Sequence, residues 1–542
     1  MRRSVHNLTL LFALSAITAA TAKWARAADK QKALQAEFHT SDRCLACHNG
    51  LTTPDGNDVS IGFDWRSSIM GNSARDPYWQ ASVRREDMEH PESKAEIEDG
   101  CADCHMPMAR YEAKQRGKLG EVFAHLPFDS DPKNASAEDG VTCSVCHQIG
   151  KQNFGKRESF NGGFVIETPQ SKDDHPEFGP FVIQNAQATI MQTSTGGFRP
   201  TAAQHIHDSA LCATCHTLYT KSLAPGGKVL GTFPEQVPYQ EWLHSDYPNR
   251  NTCQSCHMPE VQGSAPIAAV MGELRTGVRQ HTFLGGNFFV LRLLNEYRND
   301  LSVSAMPLEL TAQAERTVDF LQTRAARVTI RKASVTSGKL DADVFVENLT
   351  GHKLPTAFPS RRAWLHLVVR DHNGQTVFES GALNPDGSIK GNVNDADASR
   401  FMPHYREITG ADQVEIYEPI LKDQDGHVTT GLAAAVGYLK DNRLLPAGFN
   451  KQNADKDIAV IGDAAADPNF TDIGDSVHYS VALGDAHGPF QVEAELWYQP
   501  IGFRWAHNLA SYDAPETKRI VGYYDSMPTA TAVVLAHAQA SF

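Results

Sequence analysis

Ten cysteines and five histidines of this chain fall into one repeated pattern, Cys-x-x-Cys-His. The copies comprise Cys44, Cys47, His48, Cys101, Cys104, His105, Cys143, Cys146, His147, Cys212, Cys215, His216, Cys253, Cys256 and His257. The chain has ten cysteines in total, so the pattern uses all of them. A single chemistry must therefore account for every thiol and for the histidine that follows each pair.

This spacing is the attachment signature of a c-type haem. The two thiols form thioethers to one porphyrin, and the adjacent histidine binds the iron as its proximal ligand. Disulfides would not require a histidine after every pair, a structural zinc would need four ligands per site, and a redox dithiol needs only one motif. The sequence therefore predicts five covalently attached c-type haems.

A haem iron that only carries electrons normally has a second axial ligand on its other face. Five histidines lie at modest distance from the motifs, and we predict that they are these distal ligands: His90, His125, His205, His244 and His281. For each of them, the alternative is a surface or hydrogen-bonding role. Met70 is an alternative ligand for one iron, and His207 competes with His205.

The formal net charge is −14 and the isoelectric point is near 5.9, which disfavours binding to nucleic acid or to an anionic membrane surface. We expect redox partner proteins, either quinol-linked or other cytochromes. Residues 1–27 are typical of a signal peptide, with Arg2 and Arg3 before an apolar run and a cleavage site at Ala25–Ala27. These features predict export to the periplasm, with cell-surface or outer-membrane association as an alternative, and no membrane span in the mature chain. The sequence carries no signal for an oligomeric state.

The distribution of motifs and the hydrophobic periodicity predict an α+β protein. We expect a mainly helical and irregular pentahaem domain over 28–305, because no motif follows His257. Apolar residues at helical spacing predict a connecting helix over 306–325. Over 326–542, alternating β-branched segments separated by Asn-Gly and Asp-Gly turns predict an antiparallel β-sandwich-like domain.

Several segments resemble multihaem c-type cytochromes of the hydroxylamine-oxidoreductase-like lineage, namely the five motifs and the stretches DPYWQASV, EWLHSDY and HTFLGGN. The stretch NLTGHKLPTAFPSRRAWLHLVV resembles the β-domain that follows the haem cluster in some of these proteins. The resemblance implies that His352 approaches a haem or has a hydrogen-bonding role. Arg361 and Arg362 follow in the same stretch and either pair with haem propionates, since guanidinium groups suit carboxylates, or form an exposed basic pair. The chain departs from the ammonia-forming nitrite reductases because it has no Cys-x-x-Cys-Lys motif.

Two functions fit these residues. An electron-transfer cytochrome needs every iron to be six-coordinate, and the supply of histidines favours it. The alternative is a multihaem oxidoreductase that acts on a small nitrogen or sulfur compound at one open haem. A loop over 384–399 is rich in oxygen ligands and predicts either a calcium site or a polar turn.

Overall fold

The computed structural model describes residues 38–128, 131–167 and 174–542. The predicted signal peptide over 1–27 lies outside these ranges. Within them, no helix is both long and apolar enough to cross a bilayer.

Short helices carry the Cys-x-x-Cys-His motifs, as the sequence predicts. They are Asp42–Leu45, Lys94–His105, Cys143–Cys146, Ser209–Ala213 and Cys253–His257. In three motifs the histidine amide donates to the carbonyl of the first cysteine, at 3.0 Å for His48, 3.0 Å for His147 and 2.9 Å for His216. One helical turn therefore brings each of these histidines beside its own two thiols.

Further helices surround the motifs in this half of the chain. They are Ile61–Arg66, Pro77–Glu89, Pro107–Gln115, Ala135–Glu138, Asn185–Thr195, Pro238–Leu243, Phe288–Glu296 and Pro307–Arg324. Three small sheets pair Ile149–Gly150 with Val165–Ile166, His175–Gly179 with Phe198–Ala202, and Leu218–Leu223 with Val229–Gln236. The Asp76 carboxylate caps the helix Pro77–Glu89 by accepting from the amides of Tyr78 and Trp79.

The second half is built mainly from two sheets. One sheet has the order Glu407–Ile408, Asp475–Ala482, Lys339–Asn348 and Ala326–Thr336. The other has the order Thr376–Ser380, Arg362–Arg370, Gln491–Gln499 and Val533–Ser541, and Ile416–Tyr417 also pairs with Arg362–Arg370. All of these pairings are antiparallel except that of Glu407–Ile408 with Asp475–Ala482.

Side chains from both sheets fill one core. Val344 and Val346 of one sheet lie in the same buried cluster as Val492 and Leu496 of the other, because alternate residues of each strand point inward. A smaller sheet joins Val428–Thr429, Pro419–Lys422 and Gly437–Asp441, and the helices Val393–Ala396, Phe503–His507 and Pro515–Ser526 complete this half. The predicted α+β class is confirmed.

Buried polar contacts join the two halves. The Glu86 carboxylate of the first half accepts from the amides of Leu432 at 2.8 Å and Ala433 at 3.1 Å. The guanidinium of Arg84 donates two hydrogen bonds to the Glu516 carboxylate, at 3.0 and 3.1 Å. The largest apolar cluster also contains residues of both halves, so the second half packs directly on the motif-bearing half.

The loop over 384–399 satisfies its oxygen atoms from within the chain. The Asp395 carboxylate forms a buried bidentate pair with Arg362 at 2.7 and 3.0 Å, and Asp386 accepts from the amide and hydroxyl of Ser388. The structure therefore gives no support to calcium here. It also corrects the expectation for Arg362, whose guanidinium is committed to Asp395 and is not free for a propionate.

A buried histidine in the second half is held by two carboxylates. The Nδ1 atom of His404 lies 2.8 Å from Glu415 Oε1, and its Nε2 atom lies 3.1 Å from Asp467 Oδ2. Burial alone would lower the pKa of His404, but the charge of Glu415 and the hydrogen bonds to Glu415 and Asp467 outweigh it and raise the pKa to about 9. An imidazolium is therefore the form that this site stabilises.

We expect His404→Gln to destabilise the fold by about 3–5 kcal/mol near neutral pH, because it leaves the buried Glu415 carboxylate without its cation and Asp467 with Arg406 alone. The unfolded-state pKa of histidine is about 6.5, so the contribution of His404 is fully present below that pH and is lost as pH rises through about 9. Thermal unfolding of both proteins at several pH values should show the gap narrowing on the alkaline side. His478→Gln, at a 40% exposed side chain of the strand Asp475–Ala482, is the control and should have little effect. A gap that does not change with pH would contradict the assignment.

Candidate cofactor cavity

One continuous cavity of about 1910 Å³ lies in the first half of the chain and is closed partly by the second. Its lining includes both cysteines and the histidine of all five motifs. Pockets for single small ligands usually measure about 300–1,000 Å³. The cavity is therefore large enough for several bulky groups rather than one.

The motifs form a connected series along this cavity. Side chains of three cysteine pairs from different motifs are in hydrogen-bonding contact, namely Cys44 with Cys143, Cys104 with Cys215, and Cys212 with Cys253. Cys146 lies close enough to Cys215 for their charges to interact. All ten cysteines, which lie within the described residues, are free thiols. Every motif is thus adjacent to at least one other.

Backbone carbonyls orient the motif histidines. The Nδ1 atom of His48 lies 2.5 Å from Ile267 O, that of His105 2.9 Å from Ser73 O, and that of His147 2.5 Å from Phe178 O. His257 Nδ1 makes the same contact with Leu284 O at 2.5 Å. Since a carbonyl can only accept, Nδ1 carries the proton and Nε2 is left as the atom able to bind a metal.

Burial keeps these imidazoles neutral. Desolvation is the largest cause that lowers the pKa of His48, His147 and His257, and it lowers the pKa of His105 and His216 to about 4. A neutral imidazole is the form that binds a metal ion. The five histidines are therefore in the ligating state at neutral pH.

Two of the motif histidines face a second histidine ring. His147 and His281 have ring centroids 6.3 Å apart with an interplanar angle of 19°, and His257 and His352 are 6.2 Å apart at 13°. If two Nε2 atoms bind one metal ion at about 2.0–2.1 Å each, and each ring centre lies about 1.1 Å further out, the centroids are separated by about 6.3 Å. Both pairs have the spacing expected of two ligands on one iron.

The second members of these pairs are also buried and neutral. Desolvation and then the nearby His147 lower the pKa of His281 to about 3, and desolvation and then His257 lower the pKa of His352 to about 4. Their Nδ1 atoms lie near carbonyls, at 3.1 Å from Arg279 O for His281 and at 2.9 Å from Lys353 O for His352. In each pair, both rings are therefore neutral, and both have Nδ1 directed at a backbone carbonyl.

His90 is buried, with 5% of its surface exposed, and neither of its ring nitrogens has a hydrogen-bond partner. Burying an imidazole without a hydrogen-bond partner costs free energy, unless a further group binds to its ring nitrogens. Its ligand atoms lie within 4.8 Å of those of Glu86 and Glu89. The role of His90 as a distal ligand stays a prediction.

The remaining three predicted distal ligands have protein partners and are not among the described residues that line the cavity. His125 Nδ1 lies 3.1 Å from Asn134 Oδ1, and His205 Nε2 lies 2.9 Å from Ile149 O. His244 Nδ1 lies 2.8 Å from Gln240 O, and its Nε2 lies 3.4 Å from an Asp455 oxygen. The structure does not bring these rings to a motif histidine, and their ligation stays a prediction.

The cavity lining also includes residues that the sequence suggested as alternatives and one residue for which it gave no prediction. Met70, His207 and Arg361 line the cavity, and the guanidinium of Arg361 also donates to Thr356 O at 3.1 Å. Trp79, which the sequence did not single out, stacks on His105 with centroids 4.3 Å apart and an angle of 3°. No local signal marks this contact, since it depends on how the helix Pro77–Glu89 packs beside the second motif.

Two observations test whether these residues fit c-type haem. Every motif presents its two free thiols and a neutral histidine to the same cavity. The spacing of His147 from His281 and of His257 from His352 leaves room for one metal ion between each pair. The donor set and the cavity therefore fit the group that the motifs predict.

We predict that His281→Ala and His352→Ala each create one carbon-monoxide-reactive haem, because each removes one of two opposed rings. Reduced protein would be titrated with carbon monoxide and the change in the Soret band compared with wild type. His478→Ala and His507→Ala are matched controls and should leave the spectrum unchanged, since these rings pair with carboxylates of the second half and do not line the cavity. Equal carbon monoxide binding by all four variants would contradict the pairing.

No protein-family model and no curated protein sequence matches the chain. Among solved structures, it is similar to a penta-haem cytochrome c552 from Thermochromatium tepidum, with 15% sequence identity and a TM-score of 0.51. The alignment covers 93% of this chain and 99% of that one. The chain therefore shares the fold of a penta-haem cytochrome over nearly its whole length.

Proposed function

We propose that this protein is an exported c-type cytochrome that carries five covalently attached haems and transfers electrons through them. The observation that carries the proposal is the single cavity lined by all five motifs, with neighbouring motifs in thiol contact. Electron transfer requires closely spaced cofactors, and adjacent attachment sites provide that spacing. The fold shared with a penta-haem cytochrome supports the proposal.

The residues that would hold the haems follow from the motifs and the ring pairs. The ten cysteines would form the thioethers, and His48, His105, His147, His216 and His257 would be the proximal ligands. His281 and His352 would be distal ligands of the third and fifth haems, and His90 is the next candidate. A bound haem supplies an iron that takes up and releases an electron.

The chain itself would keep the coordination constant during electron transfer. Carbonyl contacts at Nδ1 fix four of the five motif histidine rings, for example Ser73 O on His105 and Phe178 O on His147. Burial lowers the pKa of the imidazoles and so holds them neutral. Ligands that neither move nor change protonation leave only the electron to be transferred.

A second candidate is a multihaem oxidoreductase that acts on a small nitrogen or sulfur compound at one open haem. Among the described residues, no second histidine ring faces His48, His105 or His216 as His281 faces His147. Arg361 lies near His216, where its charge helps to lower the pKa after burial, the larger cause. An iron held by His216 would have a cationic neighbour suited to an anionic substrate.

The surroundings of the protein are part of the proposal. The signal peptide over 1–27 supports export to the periplasm, and association with the cell surface is the alternative. Redox partner proteins, quinol-linked or other cytochromes, would supply and remove the electrons. The segments that resemble the hydroxylamine-oxidoreductase-like lineage support a place for the chain in that group.

We also propose the division into a pentahaem domain over 28–305, a connecting helix over 306–325 and a β-sandwich-like domain over 326–542. A fragment of 326–542 should fold as a colourless, β-rich unit, because its two main sheets share a core of their own side chains. It should unfold at a lower temperature than the whole protein, since it loses contacts such as those of Glu86 with Leu432 and Ala433. Far-ultraviolet circular dichroism on heating is the measurement, and an unfolded or mainly helical fragment would contradict the boundary.

The proposed function predicts a mature chain with the mass of five added haems and only low-spin iron. Intact-mass spectrometry after acid and organic extraction gives the covalent load, and a mass equal to the bare polypeptide would contradict the cofactor. The ferric spectrum and the response of the reduced protein to carbon monoxide then separate the two candidate functions. A high-spin haem in the wild type, with about a fifth of the Soret intensity responding, would favour the oxidoreductase over the electron carrier.

A further inference from the structure

The loop Leu349–Thr356 of the second half brings His352 to the cavity, where its ring faces His257. This loop follows directly after the strand Lys339–Asn348, whose last residue holds it. Asn348 Nδ2 donates to His352 O at 2.8 Å, and Thr350 Oγ1 donates to the same oxygen at 2.8 Å. These contacts fix the carbonyl of His352, which belongs to the peptide group that it shares with Lys353.

On the C-terminal side, the loop is held by one carboxylate of the first half. Glu241 lies in the helix Pro238–Leu243 and has no exposed surface. Its Oε2 atom accepts from the amide of Lys353 at 3.1 Å and from Thr356 Oγ1 at 2.5 Å. The Glu241 carboxylate thus links Lys353, the residue after His352, to Thr356 at the end of the loop.

Three further buried charges complete the arrangement. Arg443 places Nη1 2.9 Å from Glu241 Oε1, and it forks onto Asp441 with two contacts of 2.8 Å. Lys353 Nζ donates to Asp441 Oδ2 at 2.7 Å and to Ala459 O at 3.2 Å. The four side chains are at most 6% exposed and contain two cations and two anions, so the group is electrically balanced within the fold.

We propose that Glu241 is the positioning residue for His352, and that the buried quartet Glu241–Arg443–Asp441–Lys353 holds this ligand against the haem attached at Cys253 and Cys256. The inference rests on the proposed function and deepens it. The Nδ1 atom of His352 bonds to Lys353 O, and the amide of Lys353 bonds to Glu241, so the ring orientation depends on the carboxylate through one residue.

The arrangement makes the coordination of one iron depend on the docking of the two halves. Glu241 belongs to the motif-bearing half, whereas Lys353, Asp441 and Arg443 belong to the β-rich half. Removing one charge leaves the other three with an uncompensated net charge in the buried interior, which is costly even when the size of the side chain is kept. The loop can relieve this cost by moving away from the cavity, and His352 then leaves its iron.

The test is Glu241→Gln in the full haem-loaded protein, which keeps the size of the side chain and removes its charge. We expect a ferric high-spin signal and a carbon-monoxide-reactive fraction that approaches one haem in five, as in His352→Ala. We also expect the Lys353 amide to exchange hydrogen at least tenfold faster, a readout that does not depend on the haem. Glu241→Asp retains the charge and should restore most of the low-spin spectrum.

Asp395→Asn is the matched control, because it breaks another buried bidentate pair, with Arg362, in the β-rich half. It should lower the unfolding temperature and leave the haem spectrum as in wild type. A wild-type spectrum for Glu241→Gln below its unfolding temperature would overturn the proposal, and so would an equal spectral change in Asp395→Asn. A wild-type protein without covalent haem would instead overturn the proposed function, so the two failures are distinguishable.

Discussion

The rest of the structure depends on a cavity that the chain cannot fill with its own side chains. Protein interiors are packed about as densely as organic crystals, with few voids larger than a water molecule. A space of about 1910 Å³ is far outside that rule. Its walls come from separate short helices and loops, and under the proposed function groups anchored to the thiols would complete the interior of this half. Covalent attachment at ten cysteines suits that need, because it ties the filling groups to the same helices that form the walls.

The same burial that creates the cavity sets the chemistry of its histidines. Desolvation lowers the pKa of His105, His216 and His352 to about 4, so none of them is charged at neutral pH. Desolvation would be a cost for an imidazole with no partner. Here the Nδ1 proton is given to a carbonyl in most cases, and Nε2 remains for the iron. His404 differs, because two carboxylates hold its ring as a cation. The partner atoms therefore decide which protonation form each buried histidine takes.

The proximal ligands could be predicted from sequence because each lies next to its own cysteines. A single helical turn sets that geometry, and the spacing Cys-x-x-Cys-His records it directly. Distal ligands are different, because they meet their iron through long-range packing that leaves no local pattern. His281 was predicted and does face His147, whereas the ring that faces His257 is His352, which only the resemblance had brought to attention. His244 precedes the fifth motif closely in sequence, and its ring contacts Gln240 and Asp455, so its ligation stays a prediction.

The β-rich half was expected from its strand pattern, whereas its contribution to the cavity was suggested only by the resemblance that singled out His352. Its strands could be read from alternation, since period-two burial is visible in sequence. The loop Leu349–Thr356 has no such period, and its role depends on Glu241, a residue of the other half. A docking module that only presented the cytochrome to a partner would not need to place a histidine opposite a motif histidine or to bury four balanced charges beside it. The β-rich half therefore forms part of the cavity wall, and under the proposed function its strands would be the rigid base from which one axial ligand is held.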